Sequence, residues 1–203
     1  MNEMLIMDNN SVTHTITDIP YSVVSRESNG IRKFDKEEAD VLTFPVSYFI
    51  KELTRITEKN IMIFCASEQV SEIITLLNNS GFESDLAIWH KTNPSPVNGQ
   101  YIWLSGVECC VVASRGILSD HLKNVIWKNP NGRSKNHPTE KPLKLMQTII
   151  REHTQEGDLI FDPCSGSGAT IESAAIEKRQ WLGIELFEDY YNYILERMDK
   201  YGS

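Results

Sequence analysis

The sequence predicts an α/β fold in which a mainly parallel sheet is covered by helices on both faces. Three observations support this fold class. Short apolar runs with strand character alternate with helical segments along most of the 203 residues. A glycine-containing turn near the end of the chain joins a buried strand to a helix, and the following strand ends in an acid. The length suits one domain over residues 1–203.

The first part of the chain supplies four predicted strands and two predicted helices. The first strand covers 11–17, places its threonines on one face, and is stopped by Pro20. The polar residues 22–40 predict a long loop, which is uncommon in a compact domain unless it has a function. The other elements are a helix over 45–58, a strand over 60–66, a helix capped by Ser67 and ended at 79–81, and strands over 85–90 and 108–114.

The second part of the chain begins with an irregular stretch. Residues 117–136 carry little periodicity and are predicted to form a short insert in the domain. Pro142 stands at a favourable first helical position and begins a helix over 143–153. The remaining elements are a strand over 159–161, a helix after Gly168, a strand over 180–185, and an amphipathic helix set by Phe187, Tyr190, Tyr191, Ile194, Leu195 and Met198.

The composition is that of a soluble globular protein, with 40% hydrophobic and 24% charged residues. No apolar run approaches the roughly 18 residues of a membrane helix, and no signal pattern opens the chain. We therefore expect a cytoplasmic location and no membrane partner. The four cysteines show no C-x-x-C spacing. They predict small buried thiols rather than a metal site.

One segment of this acidic chain is basic. The net charge is −8, yet residues 111–151, which we call the basic segment, carry eight Lys and Arg against two acids. Such a run is often only a solvated surface. It is also the pattern expected of a local contact surface for a polyanion such as a nucleic acid.

Residues 158–170 form the predicted strand, turn and helix. Pro163 stops the strand, and Gly166 and Gly168 permit the positive φ values of a tight turn. A plain turn is one interpretation, and a phosphate-binding loop is disfavoured because its spacing and its lysine are absent. Glu185 ends the next strand, where an acid can accept both hydroxyls of a ribose. These features favour a cofactor that contains adenosine, with S-adenosylmethionine as a candidate.

The segment Asp18-Ile-Pro-Tyr21 also ends a strand. Ligands of open α/β sheets gather at the carboxyl ends of strands, so we expect this segment to share a crevice with the glycine turn. Asp18 could accept one N–H of an exocyclic nucleobase amine, and the Ile19 carbonyl, held by Pro20, could accept the other. Tyr21 offers a face for a flipped base. Without its context, the motif is equally compatible with an ordinary strand end.

Five segments occur in an order that resembles the amino-methyltransferases of DNA, which act on adenine N6 or cytosine N4. The order is similar to that of the circularly permuted β group, in which the catalytic motif precedes the cofactor motif. The resemblance runs from about residue 11 to residue 198 and implies a Rossmann-like S-adenosylmethionine-dependent methyltransferase fold. The segments are Asp18-Ile-Pro-Tyr21, Trp89-His-Lys91, His137-Pro-Thr-Glu-Lys-Pro142, Phe161-Asp-Pro-Cys-Ser-Gly-Ser-Gly168 and Gly183-Ile-Glu185.

The resemblance implies roles for three groups of residues. The catalytic group is Asp18, Ile19, Pro20 and Tyr21. The cofactor-binding group is Thr139, Lys141, Asp162, Pro163, Cys164, Ser165, Gly166, Ser167, Gly168, Thr170 and Glu185, with Thr139 and Lys141 near the cofactor carboxylate and Glu185 on the ribose. The insert 117–136 corresponds to the family's target-recognition segment.

Within the insert, four basic residues are expected to contact DNA phosphates, and three asparagines could pair with adenine edges. Trp127 would either stack on a base or belong to the core. The basic residues are Lys123, Lys128, Arg133 and Lys135, and the asparagines are Asn129, Asn131 and Asn136.

Several alternatives stay open. Asp18 at the first catalytic position resembles the adenine-N6 enzymes, with cytosine-N4 transfer as the nearest rival, and methylation of RNA or protein glutamine is less favoured. A non-catalytic DNA- or partner-binding protein on a degenerate scaffold is the alternative from another class. It is motivated by Ile19, where the family has proline, and by a family strand expected upstream of residue 11, which would hold the adenine ring. DNA is the expected partner, while a homodimer and a cognate nuclease stay open.

Overall fold

The structure is a computed structural model that describes residues 2–21, 44–94, 106–116, 125–132 and 140–201. Within these ranges, seven strands form one sheet that is flanked by helices. The helices are α1 (Asn2–Leu5), α2 (Val46–Ile56), α3 (Val70–Asn79), α4 (Leu143–His153), α5 (Ala169–Ile176) and α6 (Glu188–Met198), with 3-10 turns at Ser67–Gln69 and Asp199–Tyr201. The strands are β1 (Val12–Asp18), β2 (Thr57–Cys65), β3 (Glu83–Lys91), β4 (Val107–Ser114), β5 (Ile126–Asn129), β6 (Leu159–Asp162) and β7 (Gln180–Gly183).

The strand order in the sheet is β5-β3-β4-β2-β1-β6-β7. Strand β4 runs antiparallel to β2 and β3, and the other neighbouring pairs are parallel. This arrangement confirms the predicted α/β class with a mainly parallel sheet. Because β1 is central, both of its faces are covered, and Thr15 and Thr17 are fully buried. The Thr15 and Thr57 hydroxyls satisfy each other at 2.6 Å.

Alternate residues of β2 supply two hydrophobic cores, one on each face of the sheet. Ile61 and Ile63 pack in the core that contains residues of α2 and α3. Met62 and Phe64 pack in the core that contains residues of α4 and α5. Helices therefore cover both faces, as predicted.

Three local predictions differ from the structure. Helix α2 ends at Ile56 and β2 starts at Thr57 without a loop, because Thr57 is already paired with Val12 of β1. Ser67 does not cap α3: it opens a 3-10 turn, and the Gln69 side chain accepts the Ala66 N–H instead. Part of the predicted insert is regular, since β5 pairs in parallel with β3. A four-residue edge strand is too short to show a period in the sequence.

Two further features concern the class of protein. None of the helices in the described ranges is long and apolar enough to cross a membrane. The four cysteine thiols are free, and the described part of the chain contains no cluster of His, Cys, Asp and Glu side chains that could hold a metal ion.

Candidate active site

The carboxyl ends of β1 and β6 lie side by side in the sheet. Thr15 of β1 pairs with Phe161 of β6 in parallel register. Both strands run in the same direction, so Asp18 and Cys164 lie at the same edge of the sheet. The predicted catalytic segment and the predicted glycine turn, which are far apart in sequence, are therefore neighbours.

Asp18 is held by two neighbours. Its Oδ2 pairs with the buried Lys141 ammonium, and its Oδ1 accepts a hydrogen bond from the Tyr21 hydroxyl at 3.2 Å. The Asp18 side chain is 30% exposed, so it stays accessible from the crevice. Burial raises the pKa of the Asp18 carboxyl, although the adjacent Lys141 ammonium opposes this rise. The next residue is fixed, because the Ile19 N–H donates to the Phe64 carbonyl at 3.1 Å.

Lys141, which the family resemblance implies near the cofactor carboxylate, pairs with two acids of this chain. Its ammonium lies between Asp18 and Glu108, 3.1 Å from Glu108 Oε2, and 5.0 Å from the centroid of the Phe64 ring. Glu108 Oε1 pairs in turn with Lys91 at 2.6 Å. Desolvation raises the pKa of Glu108, but the two ammonium groups outweigh it and hold that pKa below its ordinary value.

Sequence reasoning missed Glu108. The signal was present, because Glu108 is an acid at the start of the otherwise apolar strand β4. Strand β4 runs antiparallel, so its first residues lie at the carboxyl edge of the other strands, with Glu108 opposite Trp89. That orientation could not be read from the strand's own sequence.

The glycine turn after β6 is built by backbone geometry. Gly166 and Gly168 adopt φ values of 50° and 77°, which belong to the left-handed region. A Cβ at residue 168 would also lie 3.0 Å from Ile194 Cγ1. The Ser165 N–H donates to the Ile184 carbonyl at 3.0 Å, so the turn is tied to the end of β7.

The other predicted cofactor residues in this turn are mostly buried. Asp162 is 2% exposed, and its Oδ1 accepts the Cys164 N–H at 3.1 Å. Desolvation raises the pKa of Asp162 to about 6, although the hydroxyl and backbone N–H groups around the carboxyl oppose this rise. Burial also raises the pKa of the Cys164 thiol, which keeps it protonated. The buried remainder of the turn is Pro163, Ser165, Ser167 and Thr170.

Glu185 lies beside the same turn. One of its carboxylate oxygens accepts the Gly166 N–H at 2.7 Å, and the other accepts the N–H groups of Leu186 and Phe187 at 2.9 Å. These bonds hold the acid at the carboxyl end of β7, next to the backbone of the turn. An anionic acceptor is therefore ready for a ligand that lies across the ends of β6 and β7.

Arg197 is a second residue that sequence reasoning missed. Its guanidinium pairs with Glu172 of α5, with Glu140 at 2.9 Å, and with the Ser167 carbonyl at 2.9 Å. It thereby joins α6 to the glycine turn and to the segment that carries Lys141. Its position in a helix rich in charged residues gave no signal of this role.

The basic segment is only partly available to a ligand. Arg115 donates to the Thr54 carbonyl at 2.9 Å, Arg151 pairs with Glu177 at 2.7 Å, and Lys141 is in the network described above. Lys128 is exposed on the edge strand β5. Trp127 is 4% exposed and packs against Phe64, so it belongs to the core.

The two asparagines near Lys128 differ in what they contact. The Asn129 carbonyl accepts the Trp89 indole N–H at 2.9 Å, and Asn131 lies beside Asn93. The other predicted site residues lie outside the described residues: Lys123, Arg133, Lys135, Asn136 and Thr139.

Comparison with known proteins gives one family and several relatives. The DNA methylase family (N6_N4_Mtase) matches residues 100–196. YubD of Escherichia coli (strain K12) is 29% identical over 195 residues, which cover 93% of this chain and 82% of YubD. YhdJ of the same strain, a DNA adenine methyltransferase, is 35% identical over 79 residues, which cover 36% of this chain and only 27% of YhdJ.

Solved structures share the fold along nearly the whole chain. The M1.HpyAVI–SAM complex has a TM-score of 0.72 and 25% identity, and the match covers 97% of this chain and 92% of that one. The cytosine-N4-specific PvuII DNA methyltransferase has a TM-score of 0.71 and 17% identity over 96% of this chain and 82% of that one, which shows the fold alone. The chain is therefore similar to the N6/N4 family of DNA methylases over residues 100–196, and it shares the fold of a SAM-bound methyltransferase over almost its full length.

Proposed function

We propose that this chain transfers a methyl group from S-adenosylmethionine to the exocyclic N6 amine of adenine in DNA. The observation that carries the proposal is the juxtaposition of Asp18, at the end of β1, with the glycine turn at the end of the adjacent β6. The catalytic strand precedes the cofactor strand in the chain, which supports assignment to the permuted β group. The resemblance, the family match and the fold all support the same reaction class.

The residues around the turn fit S-adenosylmethionine. The Glu185 carboxylate would accept the ribose hydroxyls. The left-handed Gly168, where a Cβ would meet Ile194, lets the turn that holds this carboxylate pack closely against α6. Asp162 offers a buried carboxyl for the cationic methionine portion. When bound, the cofactor supplies an electrophilic methyl group on a sulfonium, and the M1.HpyAVI complex with SAM supports this assignment.

The catalytic segment would make the target amine more nucleophilic. The amine lone pair is delocalised into the base, and accepting its two N–H groups localises that lone pair and stabilises the charge that develops. Asp18 would accept one N–H, because each carboxylate oxygen has capacity beyond its present partner. The Ile19 carbonyl would accept the other, held in place by the Ile19 N–H bond to Phe64 and by Pro20. The Tyr21 ring would stack on the flipped base.

Adenine is favoured over cytosine by two observations. Asp18 occupies the first catalytic position, as in the adenine enzymes that the motif resembles, and YhdJ is an adenine methyltransferase. Cytosine-N4 transfer is the second candidate, because the family includes both activities and the PvuII enzyme shares the fold.

One labelling experiment tests the proposal. DNA is incubated with the protein and methyl-tritiated S-adenosylmethionine, digested to nucleosides, and the labelled nucleoside is identified. We expect label in N6-methyl-2′-deoxyadenosine. Asp18→Ala should lose roughly 3 kcal/mol or more of transition-state stabilisation, a rate loss of at least about a hundredfold, because the N–H acceptor is gone.

Controls separate the alternatives. Asp85→Ala changes an exposed aspartate of β3 and should keep the wild-type rate. Label in N4-methyl-2′-deoxycytidine would establish the second candidate, cytosine-N4 transfer. A protein that incorporates no label and gives no heat with S-adenosylmethionine in calorimetry would be a non-catalytic scaffold, which contradicts the proposal.

A further inference from the structure

Four charged side chains form an alternating row at the carboxyl edge of the sheet: Asp18, Lys141, Glu108 and Lys91. Lys141 touches both carboxylates, and Glu108 touches both ammonium groups, at 3.1 Å and 2.6 Å. The row is largely withdrawn from water, with Lys141 8% and Lys91 13% exposed. Only Asp18, at one end, also belongs to the catalytic segment.

Glu108 limits how far the Lys141 ammonium offsets the negative charge of Asp18. Lys141 paired with Asp18 alone would offset the carboxylate charge in a site where the target amine becomes positive during methylation. Glu108 lies on the opposite side of the same ammonium and balances it. Lys91 keeps Glu108 ionised and in place, and its ammonium also lies 5.1 Å from the Trp89 ring centroid.

We propose that Glu108 is a positioning residue for methyl transfer, which holds Lys141 between two carboxylates so that the charge of Asp18 stays available to the target amine. The inference rests on the proposed function and extends it to a strand that carries none of the predicted site residues. Glu108 acts through Lys141 and makes no contact with the reacting atoms.

The groups that face Asp18 come from several elements, and they define what a titration would measure. They are Tyr21 beyond the end of β1, Cys65 of β2, Glu108 and Cys110 of β4, Asp162 of β6, Cys164 after β6, and Lys141 before α4. Glu108 is the member of this set whose negative charge can be removed without changing the catalytic segment or the glycine turn. Its removal takes away a repulsion on Asp18 and leaves Lys141 to Asp18 alone, so Asp18 should titrate at lower pH.

The test compares Glu108→Gln, which keeps the shape and loses the charge, with Glu108→Asp, which keeps the charge. Two quantities are measured: the single-turnover methylation rate at saturating DNA and S-adenosylmethionine, and the titration of the Asp18 side-chain carboxyl by carbon-13 NMR in the cofactor-free protein. For Glu108→Gln we expect a rate loss of at least about tenfold and titration of Asp18 at lower pH than in the wild type. Glu108→Asp should recover most of the rate.

Glu177→Gln is the matched control, since it removes a salt-bridged carboxylate from Arg151 at a place remote from the row, and it should change neither quantity. Wild-type rate and wild-type Asp18 titration in Glu108→Gln would overturn the inference. Equal loss in both Glu108 variants, accompanied by a lower melting temperature, would also overturn it, because the role would then be structural. If the wild-type protein methylates no DNA, the proposed function fails, and the Asp18 titration alone still decides whether Glu108 controls that carboxyl.

Discussion

At the scale of single residues, burial and charge pairing decide which groups are ionised in the site. Asp162 has no ammonium partner among its described neighbours, and desolvation raises its pKa to about 6. Glu108 is also withdrawn from water, yet its pKa is lowered because two lysines contact it. The two acids therefore respond in opposite directions to the same kind of burial.

The raised pKa of Asp162 predicts a specific dependence of stability on pH. The folded protein holds this proton more tightly than the unfolded chain, whose aspartate has an ordinary pKa of 3.8. The contribution is fully present below the unfolded pKa and is lost as the pH rises through about 6, with a total of about 3 kcal/mol.

The prediction is checked with urea unfolding of the wild type and of Asp162→Asn, whose amide does not titrate. The difference in unfolding free energy between the two proteins should change by about 2 kcal/mol between about pH 4 and pH 7, with the wild type losing stability. A constant difference across this range would show that Asp162 titrates like an exposed aspartate.

The residues of the candidate site could be predicted from the sequence where they belong to a local motif. They could not be predicted where their role depends on contacts between segments that are distant in the sequence. Asp18 ends β1, and Glu185 lies just beyond β7, which ends at Gly183 rather than at Glu185 as predicted. Both places could be approximated because strand, proline and glycine signals are local. The position of Lys141 between Asp18 and Glu108 depends on the register of β4 against β2 and β3, which no local pattern encodes. The same holds for Arg197, whose partners come from three separate segments.

At the scale of elements, the prediction was best for segments with a clear apolar run or helical period, even where the segment is as short as β6. The paired strands β1 and β6 and the helices α4 and α6 follow from apolar runs and helical spacing. The junction at Ile56 and Thr57 was wrong by a few residues, because pairing with β1 overrides the helical pattern there. Strand β5 was missed because its four residues show no apolar run or period, and its strand conformation depends on pairing with β3.

Helix α6 stabilises the site through Arg197, which contacts the glycine turn and the segment that carries Lys141. The side chain of Arg197 is 9% exposed, and its partners Glu172 and Glu140 are 5% and 14% exposed. Removing one member of a buried ion pair leaves the others uncompensated, which costs about 3 kcal/mol or more. Glu172 would keep Lys200 as a partner, whereas the Ser167 carbonyl of the glycine turn would no longer have the Arg197 guanidinium as a donor.

Arg197→Met should therefore destabilise the fold by about 3 kcal/mol and weaken binding of S-adenosylmethionine, because the glycine turn is no longer linked to α6. Thermal unfolding and calorimetry measure the two effects. Arg151→Met is the matched control: the same substitution breaks an exposed pair with Glu177, so the melting temperature should fall less and cofactor affinity should not change. Equal behaviour of the two variants would refute the linking role.

At the scale of the whole molecule, the net charge of −8 does not show which basic residues are engaged by protein groups and which remain exposed. Arg115, Lys141 and Arg151 of the basic segment are engaged by protein groups. The exposed basic residues of this segment in the described ranges include Lys128 of β5 and Lys144 of α4, and Arg133 follows β5 in sequence. An acidic protein with such a local basic region should bind DNA mainly through phosphates and in a salt-dependent manner.

The last prediction concerns this region. Changing Lys128 and Arg133 together to Gln should weaken binding to DNA of any sequence alike. It should also reduce the slope of log affinity against log salt by about 0.9 for each DNA phosphate that the protein no longer neutralises. Fluorescence anisotropy with two unrelated duplexes over a range of salt concentrations measures both effects. Lys59 and Lys178 supply the control, since they are exposed near the amino ends of β2 and β7, at the edge of the sheet opposite the site. Their double change to Gln alters the net charge equally and should leave the slope intact. If both double variants reduce the slope to the same extent, the effect is one of overall charge, and if neither does, DNA does not contact the β5 region.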